Sequence, residues 1–148
     1  MIGSLWANTP LMAALAATVL AQLFKLLLVY LTERKWMFNR LLETGGMPSS
    51  HSAAVAALAT SFGLINGWSS AQFALAAVFG SIVMYDATGI RRAAGLQAEM
   101  INDMVRELGH LFDEGFKPQA LRTLLGHTYP QVVVGALLGI ATAAFIAF

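Results

Sequence analysis

The chain has 148 residues, of which 57% are hydrophobic and 11% charged, and nine basic against eight acidic residues give a net charge of +1. Soluble domains carry about 25% charged residues, so this composition excludes an ordinary water-soluble enzyme, and the charge balance argues against nucleic acid as a partner. Cysteine is absent, which excludes disulfides and thiolate chemistry. The class that fits is a small integral membrane protein, with residues 1–148 as a single domain.

Four apolar segments have the length of membrane spans or approach it. A helix needs about 20 apolar residues to cross the hydrocarbon core of a bilayer. The segments cover residues 10–31, 50–65, 71–85 and 130–148. The second and third are short, so they either cross with the help of their flanks in a locally thinned membrane or form a re-entrant hairpin. We therefore predict an all-α bundle of about four spans.

The long connector before the last span has helical periodicity. Between residues 91 and 112 its apolar side chains recur at a spacing of three and four, and the opposite face is polar. This pattern predicts an amphipathic helix that lies on the membrane interface or against the bundle. Its apolar positions are Leu96, Met100, Ile101, Met104, Val105, Leu108, Leu111 and Phe112.

The charge pattern predicts how the chain is oriented. Except for Lys25, the basic residues fall in two segments, residues 33–43 and 86–122, which four crossings put on the same side. The positive-inside rule makes that side cytoplasmic, so we predict a multi-pass protein of the cell (inner) membrane with both termini outside. Gly135 and Gly139 form a Gly-x-x-x-Gly pair, which permits close helix contact within one chain or across a homodimer.

The segment before the second span has the features of a phosphate site. Gly45 and Gly46 free the backbone, Ser49 or Ser50 can cap the following helix, and the unpaired N–H groups of a helix start attract phosphate. His51 in the first turn can give a proton to a leaving oxygen. The alternative is an ordinary helix cap beside an incidental histidine.

Two further groups of polar side chains flank other spans. His127 comes just before the last span with Gln131 one helical turn on, and a neutral histidine held by an acceptor is a usual nucleophile or base. Asp86, Arg91 and Arg92 follow the third span. The arginines can bind phosphate, or they can pair with Asp86 and anchor the membrane surface.

Lys25 is an ionisable residue inside the first span. Such a residue usually faces the bundle, the alternative being a side chain that snorkels to the interface. Two histidines, several cations and a helix start near one membrane face suit phosphoryl transfer without a metal or cofactor. The candidate catalytic residues are His127, His51, Gln131 and Asp86, and the candidate phosphate ligands are Lys25, Gly46, Ser49, Ser50, Arg91 and Arg92.

These motifs resemble a known family. The stretch Pro48-Ser49-Ser50-His51 resembles the Pro-Ser-Gly-His motif of the type-2 phosphatidic acid phosphatases, a superfamily shared with the vanadium-dependent haloperoxidases. With residues 83–92 (VMYDATGIRR) and 125–128 (LGHT), nearly the whole chain is similar to a small divergent branch of bacteria and plastids, labelled acid phosphatase/vanadium-dependent haloperoxidase-related.

The resemblance implies a membrane hydrolase that acts on a lipid phosphate. By the motif correspondence, Ser49, Ser50 and the nearby backbone would hold phosphate, His51 would be the general acid and His127 the nucleophile. The third motif of the superfamily has an Asp where Gln131 stands here. Gln131 can orient the ring of His127 but cannot stabilise an imidazolium by charge.

Two other motifs of the superfamily are altered in this chain. Ala120 and Leu121 replace the Ser-Arg that precedes the nucleophile, and Lys25 is not followed by the Arg-Pro of the first motif. On this comparison the phosphate clamp would be formed by Arg91 and Arg92 instead.

Three functions are therefore open at this point. The first is a phosphatase for lipid phosphates or lipid pyrophosphates, with a histidine nucleophile and its site at the cytoplasmic face. The second is a non-catalytic membrane scaffold or lipid-phosphate binder. The third is a Mg-dependent enzyme like the CDP-alcohol phosphotransferases, because Asp86, Glu99 and Asp103 loosely match the spacing of their metal motif.

Overall fold

The computed structural model describes residues 5–37, 45–111, 119–123 and 125–147. They form a helical bundle and contain no strand, which confirms the predicted all-α class. The helices are α1 (Thr9–Glu33), α2 (Ser50–Asn66), α3 (Ala71–Thr88), α4 (Ile90–Glu107) and α5 (Tyr129–Ala147), and a short 3-10 helix, Leu108–Leu111, follows α4. The ends of the predicted segments at Phe112 and Phe148 lie outside the described residues.

Polar side chains at the first residue before a helix explain where three of the helices begin. Asn8 accepts a hydrogen bond from the backbone N–H of Leu11 at 3.1 Å, and Ser70 accepts one from Phe73 at 3.2 Å. Ser49 accepts one from the N–H of Ser52 at 3.3 Å. Each cap satisfies a donor that the helix itself leaves unpaired.

Helix α2 lies in the middle of the bundle and contacts α1, α3 and α5. Small residues make this arrangement possible, because the fully buried cluster at the centre of the described bundle consists of alanines. A Cβ atom on Gly135 would collide with the backbone of Ser49, and one on Gly139 with the backbone of Ala53. The Gly-x-x-x-Gly pair therefore serves the contact between α5 and α2 within one chain, the first of its two predicted uses. The core alanines are Ala13, Ala17, Ala21, Ala53, Ala57 and Ala143.

Among the residues that the structure describes, three helical stretches are long and apolar enough to cross a membrane: α1, the run Ala71–Glu107 that joins α3 to α4, and α5. Helix α2 has 17 residues, which corresponds to about 25 Å against a hydrocarbon core of about 30 Å. The short length that the sequence indicated for this segment is confirmed, and a fourth full crossing stays a prediction.

Helix α4 follows α3 after a single break at Gly89, whose N–H donates to the carbonyl of Tyr85 at 2.9 Å. The predicted amphipathic helix is thus confirmed. Among the described elements α4 contacts α3 and the 3-10 helix. The alternative in which this helix lies against the bundle therefore does not describe it. Its apolar side chains, including Leu96, Met100 and Met104, are exposed on the protein surface.

Candidate active site

The backbone around His127 is fixed by a close approach to the junction of α3 and α4. The N–H of His127 donates to the carbonyl of Ala87 at 2.8 Å. Gly126 has a φ of +78°, and a Cβ atom on it would collide with the backbone of Arg92. Only glycine combines that dihedral angle with so close a contact. The turn therefore holds His127 against the end of the third helix.

The imidazole of His127 is oriented by Gln131, one turn into α5. Its Nδ1 lies 3.2 Å from Oε1 of Gln131, and the same oxygen accepts a hydrogen bond from the N–H of Thr128 at 3.1 Å. Because the backbone N–H can only donate, the Gln131 atom that faces the ring is the acceptor oxygen. In this tautomer Nδ1 carries the proton and Nε2 carries the lone pair.

The surroundings of His127 favour its neutral form. The side chain is 3% exposed, and this burial lowers its pKa below the ordinary value of 6.5, with the hydrogen bond to Gln131 acting in the opposite direction. The positive charge of Lys25, and that of His51 when it is protonated, lower the pKa further, whereas a backbone hydrogen bond with Gly46 raises it. A neutral imidazole is the form that attacks an electrophile.

One cavity brings together both histidines that the sequence singled out. Its volume is about 200 Å³, and His51, Asp86, Arg91 and His127 line it together with Ile82, Val83 and Ala87. Pockets for whole small molecules usually measure about 300–1,000 Å³, so this cavity has room for a headgroup phosphate and leaves an acyl or prenyl chain outside. Its apolar wall belongs to α3.

Arg91 reaches this cavity as part of an ion pair. Its Nε lies 2.6 Å from Oδ2 of Asp86, and both side chains are partly exposed. The pairing that the sequence analysis offered as an alternative is therefore present. It holds the guanidinium at the rim of the cavity, where its remaining N–H groups can bind a phosphate oxygen.

His127 also lines a second cavity. Its volume is about 170 Å³, and Arg92, Gly46, Gln131 and Thr128 are among its lining residues. The two neighbouring arginines of the predicted clamp thus serve different cavities, Arg91 the first and Arg92 the second. The structure does not bring them together at one phosphate position.

Lys25 continues the buried alanine face of α1 toward the site. It follows Ala21 by one turn and is 3% exposed, so it faces the bundle and does not snorkel to the surface. Its aliphatic carbons pack beside Gly46, and its positive charge acts on His127. This is the position that the sequence analysis expected for an ionisable residue inside a span.

Ser49 has a structural position that differs from the predicted phosphate ligand. It is fully buried, caps α2, and its hydroxyl also accepts a hydrogen bond from the Ser52 hydroxyl at 3.0 Å. Its N–H donates to the carbonyl of Gln131 at 3.1 Å. Ser50 is buried as well, and neither serine lines the two cavities. Ser49 therefore caps α2, as the alternative interpretation had it, and α5 packs over it.

The carboxylates of the alternative metal motif do not form a cluster. Asp86 pairs with Arg91 at 2.6 Å and Asp103 pairs with Arg106 at 2.9 Å. Within the described ranges, no group of three or more histidine, aspartate or glutamate side chains is arranged to hold a metal ion. This geometry does not favour the CDP-alcohol phosphotransferase interpretation.

Two residues that position His127 were not found from the sequence. Ala87 acts through its backbone carbonyl, so its side chain carries no signal. Gly126 had a signal, since a glycine directly before a candidate nucleophile often marks a backbone position that needs a positive φ. Only the folded chain shows that this glycine packs on Arg92.

Comparison with known proteins gives two matches along nearly the full chain. Residues 6–142 match the family model described as "Divergent PAP2 family". A protein of Bacillus subtilis (strain 168), described as "Uncharacterized membrane protein YuiD", is 41% identical over 150 residues, which cover 95% of each chain. No solved structure matches the chain.

Proposed function

The chain belongs to the divergent PAP2 family of membrane proteins, and we propose that it hydrolyses a lipid phosphate or lipid pyrophosphate with His127 as the nucleophile. The observation that carries this proposal is the cavity shared by His127, His51 and Arg91. A nucleophile, a proton donor and a cation around one phosphate-sized space are the components that phosphoryl transfer needs.

The first half of the proposed reaction transfers phosphate to the protein. Nε2 of neutral His127 attacks phosphorus, and a P–N bond forms as the bond from phosphorus to the lipid oxygen breaks. Protonated His51 gives its proton to that leaving oxygen, which releases the lipid alcohol, or the lipid monophosphate when the substrate is a pyrophosphate. Arg91, held by Asp86, and the positive field of Lys25 stabilise the charge on the phosphate oxygens.

The second half restores the protein. Water attacks the phosphorus of phosphohistidine, the P–N bond breaks, and neutral His51 accepts the proton of the water. Inorganic phosphate leaves, and both histidines return to their starting forms. Gln131 keeps the ring of His127 in the same orientation through both halves by its 3.2 Å contact with Nδ1.

The proposed substrate reaches the site from the cytoplasmic leaflet of the cell membrane. Eight of the nine lysines and arginines lie in the segments 33–43 and 86–122, and the positive-inside rule assigns these segments to the cytoplasm. The same segments lead to His51 and His127. Basic residues at that surface also attract anionic headgroups.

The test is hydrolysis by the purified protein in lipid nanodiscs, with phosphatidic acid, phosphatidylglycerol phosphate and a prenyl pyrophosphate as substrates. We expect phosphate release from at least one of them, unaffected by EDTA, and a loss of at least ~10²-fold in His127→Ala. His110→Ala is the matched control and should retain activity. Binding without hydrolysis would favour the non-catalytic lipid-phosphate binder, and loss of activity in EDTA would favour a metal-dependent reaction.

A further inference from the structure

The segment that leads to His127 is attached to α4 by a paired hydrogen bond. The side-chain amide of Asn102 donates to the carbonyl of Leu121 at 2.9 Å, and its oxygen accepts from the N–H of Leu121 at 2.8 Å. These contacts join positions 19 residues apart in the chain. An amide that uses both its donor and its acceptor on one residue fixes the direction of that backbone.

Two glycine contacts extend this attachment toward His127. A Cβ atom on Gly95 would lie 2.7 Å from the carbonyl oxygen of Thr123 and 3.0 Å from that of Leu125, so α4 and the segment touch backbone to backbone. Ala98, between Gly95 and Asn102 on the same side of α4, is 7% exposed. Gly126 then packs on Arg92. The same helix therefore contacts Leu121, Thr123, Leu125 and Gly126, the described residues that lead to His127.

Another side of α4 is apolar and exposed. Met100 and Met104 are 66% and 53% exposed, Leu111 of the following 3-10 helix is 68% exposed, and no described element of the chain covers them. Glu99, Asp103 and Arg106 occupy a polar side of the helix. Because α4 follows the apolar helix α3 after one residue, Gly89, its apolar side starts at the membrane surface, and the occupant that fits is the bilayer interface.

We propose that α4 lies with Met100 and Met104 in the bilayer interface and, through Asn102, positions His127. Asn102 is then a positioning residue, since it does not touch the site itself. This proposal adds a membrane contact to the proposed function. Only its expected effect on catalysis rests on the proposed hydrolysis. The position of His127 can be measured whether or not the protein hydrolyses a lipid.

The first experiment locates α4 relative to the lipid. The chain has no cysteine, so a nitroxide label can be attached at Met100→Cys or, as the matched control, at the neighbouring Glu99→Cys. In nanodiscs the label at position 100 should be relaxed mainly by oxygen and the label at 99 mainly by a water-soluble nickel complex. Equal exposure of both labels to the nickel complex would overturn the membrane contact.

The second experiment measures the pKa of the His127 ring by NMR in nanodiscs. In the wild type we expect a value below 6.5, as its burial dictates. Asn102→Ala should move it upward toward 6.5, because the freed segment exposes the ring to water. Gln97→Ala, which removes an exposed amide of the same helix, should leave it unchanged. An unchanged pKa in folded Asn102→Ala would overturn the positioning role.

A pair of double variants separates positioning from folding. Met100→Gln with Met104→Gln weakens the membrane contact and leaves Asn102 intact, and it should also raise the pKa of His127. The control, Glu99→Gln with Asp103→Gln, introduces glutamine on the polar side of α4 instead and should leave the pKa of His127 unchanged. If only Asn102→Ala shifts the pKa of His127, the hydrogen bond positions His127 without help from the bilayer. The proposed effect of the membrane contact on His127 is then wrong. An Asn102→Asp variant, which keeps the acceptor for Leu121, should give an intermediate shift.

Discussion

Oε1 of Gln131 lies 3.2 Å from Nδ1 of His127, on the helical turn that directly follows the histidine. In the superfamily that the motifs resemble, an Asp stands at this position. A neutral amide orients the ring as an acid would, but it adds no negative charge. Burial and the nearby cations lower the pKa of His127 and outweigh the hydrogen bond to Gln131, so that the neutral ring is favoured.

Replacing Gln131 should shift the pH profile in a direction that depends on charge. The reaction needs neutral His127, so its rate rises with pH through the pKa of that residue. Gln131→Ala removes an acceptor that raises this pKa, so the acid limb should move to lower pH, with a loss of about 1 kcal/mol, or roughly five- to tenfold, from the lost hydrogen bond. Gln131→Glu should move the limb to higher pH.

The test is to measure kcat/KM from about pH 4 to about pH 8 for the wild type and both Gln131 variants, because histidine titrates within this range. An acid limb that stays in place in both variants would show that His127 does not control the rate.

Removing the charge of Lys25 should weaken phosphate binding and raise the pKa of His127. Lys25 is buried beside Gly46, and its charge lowers that pKa. We expect Lys25→Met to raise KM and to move the acid limb upward together. Arg106→Met removes an exposed cation that pairs with Asp103, and because such pairs contribute only about 0–1 kcal/mol, it should leave both quantities near their wild-type values. Equal effects of the two substitutions would contradict a local role for Lys25.

The contact between α2 and α5 should be sensitive to a single methyl group. Gly139→Ala puts a Cβ atom into the backbone of Ala53, and overpacking of this kind costs about 1–3 kcal/mol. Thermal unfolding in detergent should therefore show a lower midpoint. Gly109→Ala is the matched control, because a Cβ atom there has open space. A midpoint for Gly139→Ala as high as that of Gly109→Ala would contradict the close packing.

Single cysteines test the predicted orientation in the membrane. One cysteine replaces Gln119, at the end of the bundle that holds the site, and the other replaces Ser69, in the turn between α2 and α3. Both positions are exposed. In intact cells an impermeant thiol reagent should label position 69 and not 119. Permeabilised cells should show labelling of both. The reverse pattern in intact cells would place the site on the outer side and change the leaflet that supplies its substrate.

The helices could be predicted from the sequence because each carries its own signals. The apolar runs, the cap at Ser49 and the helical periodicity of the connector are local, and they gave the helix positions closely. Lys25 was also interpretable, because an ionisable residue inside a span usually faces the bundle.

Other features depend on contacts between distant segments and left no local signal. Ser49 had the residue type of a phosphate ligand, but α5 buries it through Gln131 and Gly135. The separation of Arg91 and Arg92 into two cavities depends on where the turn at Gly126 meets α4. The link from Asn102 to Leu121 joins a helix to a segment without secondary structure, 19 residues further along the chain, and no periodicity relates the two.

The most direct test of the account is to trap the covalent intermediate on His127. Purified protein is mixed with phosphatidic acid carrying labelled phosphate, quenched in alkali within the first turnover, and digested for mass spectrometry. If His127 is the nucleophile, it carries a phosphate group that is stable in base and lost in acid, present in His110→Ala and absent from His127→Ala. Turnover without any label on His127, or with the label on another residue, would contradict that assignment.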